Sequence, residues 1–216
     1  MAEIVDLCKP AVEYNPDEMA FYYFMGLAYY QLGEQELALD AFRRGVSQIN
    51  AQSNPEFVSD FYAIMGDILH QKGKDTEAYA AYDSCLQWKD DNISCLNNYA
   101  YYLSVEGRDL ERAERMSYKT IKAEPANPTY LDTYAWILFM QKRYDEARTF
   151  IDQAVACDTD STQSAVIIEH AGDIHFMTGS MAQALRYWQQ ALDLSDDDEA
   201  KALLRRKIRL KKYIRK

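Results

Sequence analysis

The residue types that most often carry chemistry are few in this chain and badly spaced for it. His170 and His175 lie five apart, which puts them on different sides of a helix, whereas a metal-binding pair on one helical face needs a spacing of four. His70 has no Ser or Cys spaced as a nucleophilic partner. No glycine-rich phosphate loop, paired-carboxylate motif or nucleotide fingerprint is present. The four cysteines, Cys8, Cys85, Cys95 and Cys157, form no CxxC pair and read as buried free thiols packed like small apolar side chains. Cys85 and Cys95 flank one turn, which leaves a disulfide open there. Asn92-Ile93-Ser94 fits the N-glycosylation pattern, a matter only for a secretory setting. The expectation is a chain without catalytic residues, metal ligands or cofactor.

The elements around these residues explain the scarcity. Five times, a small residue is followed at a fixed distance by an alanine and then by a gap-filling side chain. The copies are Gly26, Ala38 and Phe42; Gly66, Ala78 and Tyr82; Ala100, Ala113 and Ser117; Ala135, Ala147 and Ile151; Gly172, Ala184 and Trp188. The small anchors are 40, 34, 35 and 37 residues apart, and a period near 34 marks stacked helical hairpins. Within each copy the apolar residues recur at three- and four-residue steps, as in Tyr22, Met25, Gly26, Tyr29 and Leu32. Gly33 then ends the helix, and Leu37, Ala38, Ala41, Phe42 and Val46 form the face of the next. The fourth copy has Lys142 in place of a turn glycine. The third has one extra residue between Gly107 and Ala113, and Ser117 where an aromatic is usual. AQSNPE (51–56) lengthens the first link, and DSTQ (160–163) adds residues near the fourth.

These residues resemble the tetratricopeptide repeat, whose pattern has Leu-Gly, Tyr, Ala, an aromatic and Pro at these offsets. The resemblance runs through nearly the whole chain. It implies an all-α fold: a right-handed superhelical solenoid of antiparallel helix pairs, closed by a C-terminal capping helix. The expected organisation is one array over 1–216, with a half repeat at 1–16, repeats at 19–50, 59–90, 93–125, 128–159 and 165–196, and a basic helix at 197–216. About eleven or twelve helices and no strand are expected.

In this family the first helices of successive repeats line a concave groove. The resemblance therefore implies a partner-binding face made of Tyr23, Leu27, Tyr30, Asp60, Asp67 and His70, then Asn97, Asn98 and Tyr101. It continues through Asp132, Trp136, Phe139 and Met140 to Glu169, Asp173 and Phe176. Trp136, Phe139 and Met140 also lie off the stripe of Leu131, Tyr134, Ala135 and Leu138, so this helix is apolar on more than one side. Some family members clamp a peptide's terminal carboxylate with lysines in the groove. No lysine occupies the matching positions here. Asp67, Asp132, Glu169 and Asp173 instead favour a basic ligand, and Asn97 and Asn98 offer amide donors and acceptors to its backbone. His175 takes the place of a core tyrosine and should be packed.

Charge is distributed unevenly. Residues 201–216 hold nine basic and no acidic side chains, so a body of charge −19 carries a tail of +9 within a net −10. An acidic body repels nucleic acid and anionic lipid and suits a protein or peptide partner with basic or apolar side chains. The tail has three readings: a solvated cap, a segment docked on an acidic surface of this chain or a neighbour, or a binder of anionic lipid or nucleic acid. Ala200, Leu203, Leu204, Ile208 and Ile214 describe one amphipathic helix there. Ile4, Cys8, Ala11, Val12 and Pro16 match the second half of a repeat, so Ile4 and Leu7 should expose apolar atoms, and a fragment of a longer protein is expected. No apolar run reaches the ~18 residues that span a bilayer. LNNYAYYL (96–103) and LDTYAWILFMQKRYDEA (131–147) resemble bacterial repeat proteins, implying a soluble protein of the cytoplasm or of the cell envelope if a signal peptide lies upstream. The expected function is a non-catalytic scaffold for a protein segment; the alternative is an assembly module, self-association included, acting through its ends or its basic tail.

Overall fold

The computed structural model describes residues 1–158 and 164–215, and these form twelve α-helices without a strand. They are α1 (Ala2–Tyr14), α2 (Met19–Gln31), α3 (Gln35–Val46), α4 (Pro55–Gln71), α5 (Asp75–Trp88) and α6 (Ile93–Glu106). Then follow α7 (Leu110–Ala123), α8 (Pro128–Met140), α9 (Tyr144–Cys157), α10 (Ala165–Met177), α11 (Met181–Leu194) and α12 (Asp198–Leu210). The chain falls into two compact units, Met1–Cys95 and Leu96–Lys216, with the division inside α6. The DSTQ insertion falls outside the described residues.

In the first unit, α2 packs on α3 and α4 on α5. The small anchors let the paired helices approach: a Cβ on Gly26 would lie 2.5 Å from the Phe42 ring, and one on Gly66 would lie 2.5 Å from the Tyr82 ring. The long first link is absorbed by a turn and by an early helix start. Asn54 accepts a hydrogen bond from the Glu56 N–H at 2.9 Å, and Pro55 occupies the first turn, where its missing donor costs nothing. As a result α4 begins at 55 rather than 59 and runs for 17 residues. At the N-terminus α1 packs on α2 through Val5, Cys8 and Val12, while Leu7 is 73% exposed and Ile4 36%. This is the one-sided packing the sequence implies.

In the second unit, α8 pairs with α9 and α10 with α11, and α12 packs on α11 as a cap. Trp188 is fully buried with its Cδ1 2.4 Å from where a Gly172 Cβ would be. Lys142 adopts φ 65°, the left-handed conformation that Gly33 adopts at φ 79° in the corresponding turn. The extra residue after Gly107 is taken up by Asp109, left-handed at φ 39°, whose side chain caps α7 by accepting from the Arg112 N–H. Ser117 fills the aromatic's position fully buried, with its hydroxyl unpartnered. The C-terminal helix is shorter than the sequence suggests. It stops at Leu210 with Lys211 left-handed (φ 48°, ψ 48°), so Ile214 lies beyond it.

One further expectation is corrected. Cys157 is exposed at the end of α9; Cys8, Cys85 and Cys95 are buried, and all four are free thiols. The Asn92 side chain, in the segment that fits the glycosylation pattern, is buried and bonded within the fold. Its Nδ2 donates to Ser59 Oγ at 2.9 Å and to Asp60 Oδ1 at 3.0 Å, and its Oδ1 accepts from the Cys95 N–H at 3.0 Å. His175 is packed as expected, 2.8 Å from Asp152 Oδ1 through Nε2.

Candidate functional site

The expected face divides between the two units. In the first, α2 and α4 carry Tyr23, Leu27, Tyr30, Asp67 and His70, all partly buried. Tyr23 sits in an aromatic group, 4.6 Å from Phe57 and 5.3 Å from Phe61 between ring centroids. Burial, with a smaller effect of Asp60, pushes its phenol up. Burial also raises Asp60 itself, against the Asn92 hydrogen bond. Tyr30 accepts from Gln71 Nε2 at 3.3 Å, Asp67 accepts the Tyr82 hydroxyl at 2.5 Å, and His70 Nδ1 lies 3.0 Å from Asp75.

The second unit gathers its residues more tightly. Asn97, Asn98 and Tyr101 come from α6, Asp132, Trp136 and Phe139 from α8, and Glu169 and Asp173 from α10. The order of these helices in the chain brings residues some 35 positions apart onto one surface, which is what the repeat requires. Trp136 is stacked between two rings: Phe139 at 4.7 Å and 14°, and His170 at 3.9 Å and 16°. His170 is held in turn by Asp132, whose carboxylate oxygens lie 2.9 and 3.1 Å from Nδ1. Tyr101 closes one side, its hydroxyl pushed up to about 12 by burial and then by Asp132 and Glu169.

Besides His175 Nδ1, on a side chain of α10 that bonds Asp152 of α9, two polar atoms on these helices have no protein partner although they are buried. They are the Asn97 side-chain oxygen, an acceptor, and the Trp136 indole N–H, a donor. Asn97 itself is 5% exposed and gives its Nδ2 hydrogen to Asn98 Oδ1 at 3.2 Å. Unpartnered buried groups of this kind are uncommon and costly, so they mark positions that a ligand can satisfy.

Two of the four carboxylates expected to attract a basic ligand, Glu169 and Asp173, already have one, from this chain. Lys207 of α12 is 1% exposed, and its Nζ donates to Glu169 Oε1 at 2.7 Å and to Asp173 Oδ1 and Oδ2 at 2.8 and 2.7 Å. Asp173 also accepts the Trp188 Nε1–H at 2.9 Å. Burial pushes the Asp173 carboxyl up, while the Lys207 ammonium pulls it down. One residue of the basic tail, Lys207, thus docks on the chain's own acidic surface, while Arg205, Arg206, Arg209, Lys211 and Lys212 stay exposed. Beyond α12 the Tyr213 ring lies 5.4 Å from Phe139, and Arg215 donates to the Val105 carbonyl at 3.3 Å. Tyr101, Val105, Trp136, Met140, Val166, Glu169, His170 and Asp173 enclose, with Lys207 and the 213–215 segment, a cavity of about 130 Å3.

Sequence reasoning missed His170, Lys207 and Tyr213. Lys207 left one trace: it falls in the stripe of Leu203, Leu204 and Ile208, where a charge needs a buried partner. His170 left none, because its partner Asp132 lies 38 residues away.

Comparison with known proteins agrees with this fold. Models of the tetratricopeptide repeat match residues 7–55, 59–92 and 105–162, together more than half of the chain. A TPR repeat-containing protein of Pseudomonas aeruginosa is 28% identical over 152 residues, covering 69% of this chain and 25% of that protein. The chain thus spans about a quarter of that relative's length. Among solved structures, a tetratricopeptide repeat protein from Parabacteroides merdae superposes with TM-score 0.72 at 18% identity, over 95% of this chain and 78% of that one. The Cut9–Hcn1 hetero-tetramer of the APC/C superposes with TM-score 0.77 at 14% identity, over 97% of this chain and 39% of the other. At these identities the likeness concerns the fold.

Proposed function

This chain belongs to the tetratricopeptide-repeat family, and from that premise we propose that it is a non-catalytic scaffold binding a segment of a partner protein on the α6–α8–α10 face of its second unit. Tetratricopeptide repeats are in general protein-interaction scaffolds. The observation that carries the finer reading is the pair of unpartnered buried atoms, Asn97 Oδ1 on α6 and Trp136 Nε1 on α8, with Trp136 bordering the unfilled cavity. An extended segment offers both a donor and an acceptor at each residue, so one backbone satisfies both. Asn98, Tyr101 and Phe139 complete the wall. Glu169 and Asp173 are engaged by Lys207, so the preference for basic and apolar side chains rests on Asp132, itself held by His170, and on the aromatic wall. Tyr23, Leu27, Tyr30, Asp67 and His70 are the corresponding face of the first unit.

The test is selection of peptides from a random display library on the full chain. Enrichment of sequences mixing basic with apolar residues, lost on Trp136→Ala, is the expected result. Enriched acidic peptides, or binding indifferent to Trp136→Ala and Tyr23→Ala alike, would refute the reading.

The runner-up is an assembly module. One observation favours it: α1 leaves Leu7 73% and Tyr14 85% exposed. Sedimentation of the full chain over a hundredfold range of concentration, beside Leu7→Glu, tests it. Association abolished by the substitution supports assembly through α1, and a concentration-independent monomer rejects it.

A further inference from the structure

We propose that residues 212–215 occupy the place of a partner segment on the second unit, and that the segment which displaces them carries an aromatic residue followed two positions later by a basic one. This rests on the scaffold reading above and names the partner's chemistry and the control of access to it.

The C-terminal region is held in two different ways. The α12 part is anchored: Leu204 and Lys207 are each 1% exposed, and Lys207 makes three short charge-assisted hydrogen bonds. The part after Lys211 is held lightly. Tyr213 and Ile214 are only partly buried, Arg215 is exposed, and the hydrogen bond from Arg215 to Val105 is at 3.3 Å. Between the two, Lys211 turns the chain through a left-handed conformation that non-glycine residues avoid. The turn carries the tail back over α6 and α8 instead of letting it leave as helix.

What the tail touches defines what the face recognises. Tyr213 sets its ring edge-on to Phe139, at 74°, with the Lys207 ammonium 5.6 Å from its centroid. Arg215 supplies a cation and a donor to a carbonyl in the last turn of α6, the end of a helix that favours positive charge. An aromatic ring and a cation two residues apart are therefore the features read. The tail covers the cavity without filling it: about 130 Å3 stays open beside Tyr101, Trp136 and His170. A segment with an additional apolar side chain gains burial there that the tail does not have. The tail competes by being tethered, which for a short linker corresponds to an effective concentration of order mM. Access is graded by this competition, while the Lys207 anchor keeps the fold intact.

A fluorescently labelled peptide of residues 208–215 serves as probe, titrated into the full chain and into full-length Tyr213→Ala. The variant should bind it at least tenfold more tightly than the parent, with an unchanged urea midpoint. The same peptide with Ala at the tyrosine should bind neither. Should Tyr213→Ala shift the unfolding midpoint, Arg215→Ala, altered at an exposed side chain, must show the same direction of gain. Equal affinity for parent and variants overturns the proposal, as does a peptide indifferent to loss of its tyrosine. Dimers of the parent in light scattering would also overturn it, in favour of tails exchanged between copies. Display-selected peptides that bind parent and Tyr213→Ala equally would leave the scaffold reading standing and remove this one.

Discussion

Trp188 and Trp136 show how one residue type serves two purposes in a helical array. Trp188 is fully buried against Gly172 and donates its N–H to Asp173, so it is core with every need met. Trp188→Ala should cost roughly 3–5 kcal/mol in urea unfolding, through lost burial and an unfilled cavity. A cost under about 1 kcal/mol, that of an ordinary substitution, would mean the ring is not the inter-repeat wedge. Trp136 is only partly buried and its N–H has no partner. Ser117 is a third case. Its neighbours in the repeat pattern are Phe42, Tyr82, Ile151 and Trp188, yet here a fully buried hydroxyl stands unpartnered. Removing such a group costs little and relieves its desolvation, so Ser117→Ala should be neutral or stabilising by up to about 1 kcal/mol. A clear loss of stability would show that the hydroxyl has an unseen partner.

At the scale of elements, the helix pairs follow from spacings that a reader of the sequence can count. Gly26 and Phe42, Gly66 and Tyr82, and Gly172 and Trp188 each lie 16 apart, and each pair meets ring against glycine. Local periodicity captures this because both partners belong to one hairpin. It does not capture α12 in the same way. The apolar stripe predicts a cap, but the contacts of Lys207 with Glu169 and Asp173 span 38 and 34 residues and depend on how α12 turns. Lys207→Ala leaves two buried carboxylates without their cation and should cost roughly 3–5 kcal/mol, measured by urea unfolding. A near-silent substitution would mean that α12 is not docked there. Acid stability is set in part between α7 and α9, where Arg143 bonds Glu114 and Glu146 at 2.7 Å each. Burial pushes Glu114 up, but its hydrogen bonds to Arg143 and Gln141 outweigh this and hold it low, and Arg143 also holds Glu146 low. Carboxyls held below their unfolded value of about 4.3 stabilise the fold above that pH and lose the contribution as pH falls through their folded value. Arg143→Met should therefore flatten the fall in stability below about pH 5. An unchanged acid limb would contradict the assignment.

At the scale of the molecule, several residues that could carry chemistry are taken up by the structure. Asn92 is satisfied inside the fold, His175 is packed with its Nε2 on Asp152, and Cys85 and Cys95 are buried free thiols. What remains is a face. Its composition was legible because Trp136, Phe139 and Met140 stand off the core stripe, and because the family resemblance names the helices concerned. Its present occupant was not legible, since a tail of nine basic residues reads equally well as solvated, docked or lipid-binding. Three-dimensional placement shows that Lys207 and Tyr213 are docked, while most of the other basic side chains of the tail are exposed. The most direct measurement of the account is the affinity of a display-selected basic and apolar peptide for Trp136→Ala beside the parent, with urea unfolding of both. An aromatic anchor in a binding site carries ~2 kcal/mol or more. The substitution should weaken binding at least about 30-fold while costing about 1–2 kcal/mol of stability. Unchanged affinity, or unfolding as severe as that of Trp188→Ala, would show that Trp136 is core and that the face is not the binding site.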